Sequence, residues 1–187
     1  MIMCTFKKIC VTNRHLTDRP LYEQLKIVFA ISKPDIVILR EKDLSEDEYR
    51  ELAYKVKLLC DLYSVRLIVN KYYKIARELG TVVQLSIADY ESNFRSLNGL
   101  SVWVSVHSFQ EAIRAEESSA NAILAGHIYE TDCKRGLLGR GIDFLTSIIE
   151  QVDVPVYAIG GIDEFNIEEV SSAGASGACQ MSFYMKL

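Results

Sequence analysis

The side chains able to do chemistry gather in three short stretches. The longest is Gly126-His127-Ile128-Tyr129-Glu130-Thr131-Asp132-Cys133-Lys134-Arg135-Gly136, which sets imidazole, hydroxyl, thiol, acid and base groups side by side. The second is Ser105-Val106-His107-Ser108, and the third is Gly160-Gly161 behind an apolar run. An imidazole ordinarily titrates near about 6.5, so His107 is the leading candidate to take and return a proton. His127 is either a second proton carrier or a residue that shapes its loop, and His15 lies in a polar, solvated loop. Cys133 beside Lys134 has the setting of an activated thiol, although a small hydroxyl-sized filler explains it as well. Two glycines let backbone N–H groups approach an anion closely, and Ser182 adds a hydroxyl. Gly160, Gly161 and Ser182 therefore form a candidate phosphate cradle, the alternative being a tight turn. Arg40, Lys42 and Lys134 bring positive charge, which suits a substrate with more than one anionic group.

These residues need elements that carry them to one place. Each stretch follows a short apolar run: 101–104 before Ser105, 121–125 before Gly126, and 155–159 before Gly160. Earlier runs of the same kind are Phe6–Val11, Asp35–Leu39 (ending in Arg40-Glu41-Lys42), Arg66–Val69 (ending in Asn70-Lys71) and Val82–Leu85, with Asp89 just beyond. Gly177–Met181 is the last, ending at Ser182. Near-continuous apolar runs of four or five residues read as strands buried on both faces of a parallel sheet. Helical patterns stand between them, with Pro20 opening one to about Ser32. Ser45 with Glu48, and Ser108 with Glu111, have capping-box spacing.

Eight strands alternating with seven helices predict an α/β fold, a (β/α)₈ TIM barrel, as a single domain over residues 1–187. All the polar strand ends then fall on the carboxyl rim, where such barrels place their sites. The alternation predicts that His107 faces the mouth, but a one-residue shift in register would turn it to the outer ring. Five residues follow Ser182, so the barrel is expected to lack its eighth helix and to cover that flank by forming a homodimer.

The composition is 49% hydrophobic and 25% charged, which excludes a disordered chain. A net charge of −4 predicts no nucleic-acid partner and no attraction to an anionic membrane. No apolar run reaches the roughly 18 residues of a transmembrane helix. Cys4, Cys10, Cys60, Cys133 and Cys179 are an odd, scattered set without metal-ligand spacing, which predicts reduced thiols and a cytoplasmic protein.

From about residue 8 onward the chain resembles the thiamin phosphate synthase family, and within it the TenI-type thiazole tautomerases. The shared features are Arg40-Glu41-Lys42, Asn70, Ser105 with His107, a loop carrying Thr131 and Lys134, and Ala158-Ile159-Gly160-Gly161-Ile162. Ser105-Val106-His107-Ser108 and Gly126–Lys134 resemble the TenI-type subgroup in particular. The resemblance implies an isomerase that aromatises a phosphorylated thiazole carboxylate, moving a proton from ring C2 to the exocyclic carbon. His107 would shuttle the proton. Gly160, Gly161 and Ser182 would hold the phosphate. Arg40, Lys42 and Lys134 would meet the anionic groups, and Asn70, Ser105 and Thr131 would line the pocket.

Such a reaction needs no metal and no cofactor. The alternative the resemblance carries is thiamin phosphate synthase, a Mg²⁺-dependent transferase joining hydroxymethylpyrimidine pyrophosphate to thiazole phosphate. One of its Mg²⁺ carboxylates follows the asparagine that aligns with Asn70, and here that place is Lys71, while Asp89 aligns with the other. A second alternative is a ligand-binding barrel without catalysis.

Overall fold

In the computed structural model, which describes residues 5–131, 134 and 136–187, eight parallel strands close into a barrel. They are β1 (Lys7–Val11), β2 (Ile36–Leu39), β3 (Arg66–Asn70), β4 (Val82–Ser86), β5 (Val102–Val106), β6 (Ala122–Gly126), β7 (Val156–Ile159) and β8 (Gly177–Gln180). Each pairs with its neighbours in sequence, and β8 returns to β1, with Ile9 opposite both Ile36 and Cys179. Closure leaves no strand edge unpaired.

The helices form the outer ring: α1 (Leu21–Ile31), α2 (Glu46–Tyr63), α3 (Tyr73–Glu78), α4 (Ile87–Asn93), α5 (Phe109–Glu117), α6 (Gly141–Ile149), α7 (Ile167–Ser172) and α8 (Ser182–Met185). α2 begins where expected. Ser45 Oγ accepts from Glu48 N, and the Glu48 carboxylate accepts from Ser45 N at 2.9 Å. Three acids, Glu46, Asp47 and Glu48, occupy its first turn, where the helix dipole favours negative charge. α4 follows β4 directly, with Ser86 as its cap accepting from Asp89 N. Asp89 therefore lies inside a helix.

Alternation along the strands sorts the apolar residues into two cores. Val37, Leu39, Val69, Val83, Val104 and Ala125 face the helices. Ile9, Val11, Ile38, Ile68, Trp103, Leu124 and Cys179 face each other inside the barrel. Trp103 and Tyr157 stack there, with ring centroids 4.3 Å apart and planes 12° from parallel.

The eighth helix expected to be lacking is present as the single turn α8. Tyr184 and Met185 are buried. Gln24 of α1, itself 0% exposed, donates to Tyr184 O at 2.9 Å and to Leu187 O at 3.2 Å. Arg19 also donates to Leu187 O at 3.2 Å. A buried amide from α1 thus does what a longer helix would do, and this flank is covered within the chain. The reason advanced for a dimer there is removed, and large apolar side chains are exposed instead on α2, at Tyr54, Leu58 and Leu62.

Cys10, Cys60 and Cys179 are buried free thiols. Burial raises all three pKa values, Cys60 to about 12, so they stay neutral. Cys4 and Cys133 lie outside the described residues, so the candidate thiol of the central loop is not placed. Among the described residues, no helix is long and apolar enough to cross a membrane.

Candidate active site

Side chains on a strand alternate between its faces, so the inward set can be followed up each strand to the carboxyl mouth. On β2, Ile36 and Ile38 lead to Arg40. On β3, Ile68 leads to Asn70. On β4, Val82 leads to Gln84. β5 continues through Val106, two residues beyond the expected end, so Trp103, Ser105 and His107 share one parity. That places His107 at the mouth and not on the outer ring.

The ring of His107 is oriented from both sides. Its Nδ1 lies 2.5 Å from Gly126 O at the end of β6. A carbonyl oxygen only accepts, so Nδ1 carries the hydrogen and Nε2 bears the lone pair. Lys134 Nζ lies 3.2 Å from Nε2 and donates to it. The Lys134 pKa is lowered, first by burial and then by Arg140 nearby, while Glu111 pulls it the other way. The backbone of His107 is held as well, its N–H donating to Glu111 Oε2 at 2.6 Å. Here the capping box expected of Ser108 and Glu111 is only half formed. Ser108 Oγ accepts from Glu111 N at 3.2 Å, but the Glu111 carboxylate reaches one residue further back, to His107 instead of Ser108.

Behind His107 runs a chain of amides that sequence reasoning missed. Gln84, only 6% exposed, sits between Asn70 and Ser105. Its Nε2 donates to Ser105 Oγ at 2.8 Å and to Leu85 O at 2.9 Å, and its Oε1 accepts from Asn70 Nδ2 at 2.5 Å. The signal was a lone amide in the apolar run Val82-Val83-Gln84-Leu85, since a buried amide requires partners. The main chain of Asn70 is fixed by Tyr49 on α2, whose hydroxyl accepts from Asn70 N at 3.0 Å and donates to Leu39 O at 2.6 Å.

The loop after β6 folds back on the end of β7. Ile128 N donates to Ile159 O and Tyr129 N to Gly160 O, both at 3.0 Å, and Arg140 N donates to His127 O at 3.0 Å. Gly160 and Gly161 have φ of 104° and 66°, a region that favours glycine. A Cβ on Gly160 would lie 2.5 Å from His127 Cβ, and one on Gly161 would strike Glu130 O. The two glycines are thus needed for close approach of the loop, beside any role in binding an anion. His127 is 5% exposed. Its Nε2 faces Leu137 O at 3.4 Å, and its Nδ1 has no partner among the described residues.

The other expected residues are less tightly gathered. The Arg40 guanidinium makes no hydrogen bond or ion pair with a described residue, while its N–H donates to Thr12 Oγ1. Lys42 is exposed in the turn before α2, Thr131 is half-buried in the loop, and Ser182 is exposed at the start of α8. Glu41 turns away from the mouth. Its buried carboxylate takes the N–H of Arg14 and anchors an ion-pair cluster in which Arg14 also binds Asp43. His15, exposed, joins that cluster through Asp43 at 2.9 Å.

Comparison with known proteins gives this geometry a family. The model of the family described as thiamine monophosphate synthase matches residues 9–183. The chain belongs to the thiamine monophosphate synthase family. It is 32% identical over 182 residues to the thiamine-phosphate synthase of Clostridium acetobutylicum, covering 95% of this chain and 86% of that one. It is also 32% identical over 175 residues to the Pyrococcus abyssi thiamine-phosphate synthase, covering 91% and 84% respectively. The solved thiamine phosphate pyrophosphorylase from Pyrococcus furiosus superposes with a TM-score of 0.83 at 26% identity, covering 97% of this chain and 88% of that one.

Lys71 and Asp89 are the two positions that the resemblance aligns with Mg²⁺ carboxylates. Lys71 has a left-handed φ of 69°, is exposed, and rests its ammonium 5.3 Å from the Tyr72 ring centroid. Asp89 is engaged by its own helix cap, accepting from Ser86 Oγ at 2.7 Å. An ammonium cannot ligate a cation, and one carboxylate held by a helix cap is a poor donor set for a hard ion that prefers six oxygens.

Proposed function

We propose that this family member is a thiazole tautomerase acting in thiamin biosynthesis on a phosphorylated thiazole carboxylate. The observation that carries the reading is the orientation of His107. With Nδ1–H given to Gly126 O, Nε2 holds the lone pair that accepts a proton, and it is released when Lys134, which donates to it here, turns to the substrate carboxylate. In the reaction, Nε2 takes the proton from ring C2 of the ylidene tautomer, the ring electrons shift, and the same nitrogen returns a proton to the exocyclic carbon. No bond to a leaving group breaks, so atoms and charge balance without a metal or redox partner. Arg40 and Lys134 suit the carboxylate, and the N–H groups of Gly160 and Gly161 suit the phosphate. Thr131, Lys42 and Ser182 complete the proposed substrate contacts, and the partner is a small molecule, neither nucleic acid nor membrane.

The second reading is thiamin phosphate synthase, favoured by the names of the relatives at 32% identity. Lys71 and Asp89, whose carboxylate is held by the α4 cap Ser86, do not fit the Mg²⁺ that reaction requires, and no step is derived through it. One assay separates the two. The ylidene thiazole carboxylate phosphate is incubated with the protein and the absorbance of the aromatic ring is followed. In parallel, the pyrimidine pyrophosphate and thiazole phosphate are supplied with Mg²⁺ and pyrophosphate release is measured. Aromatisation unaffected by chelator supports the tautomerase. Chelator-sensitive pyrophosphate release without aromatisation overturns it in favour of the synthase.

A further inference from the structure

We propose that Gln84 is a positioning residue that sets which mouth groups donate and which accept, and so makes the site selective for a ligand carboxylate over the same ring without one. The inference rests on the reading of the mouth as a thiazole carboxylate site. Leu85 O is a backbone carbonyl and can only accept. Gln84 must therefore turn Nε2 towards it, and the same nitrogen reaches Ser105 Oγ at 2.8 Å. The Oε1 end then faces Asn70, which must present Nδ2 to it. Nothing along this chain can flip alone, because reversing Gln84 would bring oxygen against the Leu85 carbonyl and nitrogen against the Asn70 amide nitrogen.

Two consequences reach the mouth. Ser105 Oγ already accepts from Gln84, so its own hydroxyl hydrogen is left to donate. Asn70 has committed Nδ2 to Gln84, so its Oδ1 is left to accept. No described residue takes the Ser105 hydroxyl or gives to Asn70 Oδ1. Ser105 lies one inward step below His107 on β5, so the fixed donor sits beside the base that handles the proton. A carboxylate on the ring is the acceptor that such a donor recognises, and a hydrogen bond to a charged group carries more energy than one to a neutral group. Burial of Gln84 keeps water from taking its place at the centre of the chain.

Gln84→Glu keeps the shape but removes the donor. The Ser105 hydroxyl would then turn to the new carboxylate and be withdrawn from the ligand. The experiment measures, by calorimetry on the full chain, the affinity for the thiazole carboxylate phosphate and for the decarboxylated thiazole phosphate. Gln84→Glu is expected to weaken the first by about 10–100-fold and the second by less than about threefold. Ser105→Ala, which leaves Asn70 untouched, should show the same selective loss, and the double variant should lose no more than either alone. Should Gln84→Glu fail to fold, because it sets oxygen against Leu85 O, Ser105→Ala carries the comparison alone, since it removes the donor and leaves Gln84 in place. Equal weakening of both ligands, or additive losses in the double variant, overturns the proposal. Parent protein that binds the carboxylate ligand without turning it over sinks only the tautomerase reading, and parent protein that binds neither ligand sinks both.

Discussion

The lower and upper halves of the barrel interior are built on the same strands and have opposite chemistry. Below, Trp103 and Tyr157 stack among Ile9, Ile36 and Leu124. One inward step higher on β5, Trp103 gives way to Ser105 and then to His107, while Gln84 on β4, opposite Trp103 in the sheet register, and Asn70 beside it on β3 reach up to Ser105 through their amides. The change happens over one pleat repeat of about 6.6 Å. It teaches that the two halves depend on each other. The aromatic floor keeps water out from below, which strengthens each hydrogen bond of the amide chain, and the amide chain holds the ring environment that chemistry needs. Losses in the floor should therefore appear as stability, and losses in the mouth as rate.

The largest effect expected on that division is at His107. His107→Asn keeps a hydrogen-bonding side chain but cannot titrate near neutrality. Tautomerase turnover should fall about 10²–10⁴-fold, in kcat more than in KM. Unfolding by urea should move by no more than about 1 kcal/mol, the worth of one neutral hydrogen bond. Turnover within about threefold of the parent would make His107 a scaffold residue, since general-base loss costs far more than that. The search would then pass to His127, buried with an unpartnered Nδ1 among the described residues.

Trp103→Ala tests the floor. Trp103 is 4% exposed and stacked, so truncation should cost about 3–5 kcal/mol of stability. That is a large share of the roughly 5–15 kcal/mol of an ordinary domain, yet folded protein should remain in the cold. Activity per folded molecule should fall much less than for His107→Asn. Equal damage to both would dissolve the distinction between floor and mouth. Gly161→Ala tests the rim of the mouth after β7, at φ 66° and with Glu130 O in the way of a Cβ. It should cost about 1–3 kcal/mol and raise KM for the phosphorylated ligand while leaving kcat nearly intact.

Much of this division was legible in the sequence. The eight strands announced themselves as short apolar runs ending in polar groups, and the capping box at Ser45 stands as its spacing indicated. The facing of His107 was not decidable, because the apolar run 101–104 ends before Ser105 and parity cannot be read beyond a strand of uncertain length. The structure extends β5 through Val106 and removes the ambiguity. α8 escaped notice for a different reason. One turn is too short for periodicity to register, and it is fixed by Gln24, 160 residues away in the chain. Glu111 and Gln84 show the same limit. Their residue types demanded partners, but only the fold says that those partners are His107, Asn70 and Ser105.

The smallest effect, and the finest test of the mouth, is the alkaline limb of the pH profile. Lys134 donates to His107 Nε2 and suits the substrate carboxylate, and the second role needs the ammonium. Burial disfavours that charged form first, Arg140 adds like-charge repulsion, and Glu111 partly offsets both. The pKa is therefore below an ordinary lysine's, so activity should begin to fall at a lower pH than a solvated lysine would allow. The neighbours act with opposite signs. Arg140→Met removes a positive charge, raises the Lys134 pKa and should move the alkaline limb to higher pH. Glu111→Gln removes the compensating negative charge and should move it to lower pH, while the glutamine oxygen can still accept from His107 N. The acid limb has its own cause, since a protonated imidazole cannot take the C2 proton. Profiles of kcat/KM for the two variants, measured at one ionic strength, check both signs. Shifts in the same direction, or an alkaline limb unchanged by both, would mean that Lys134 does not act through its charge, and the contact with His107 would then serve only to pack the loop.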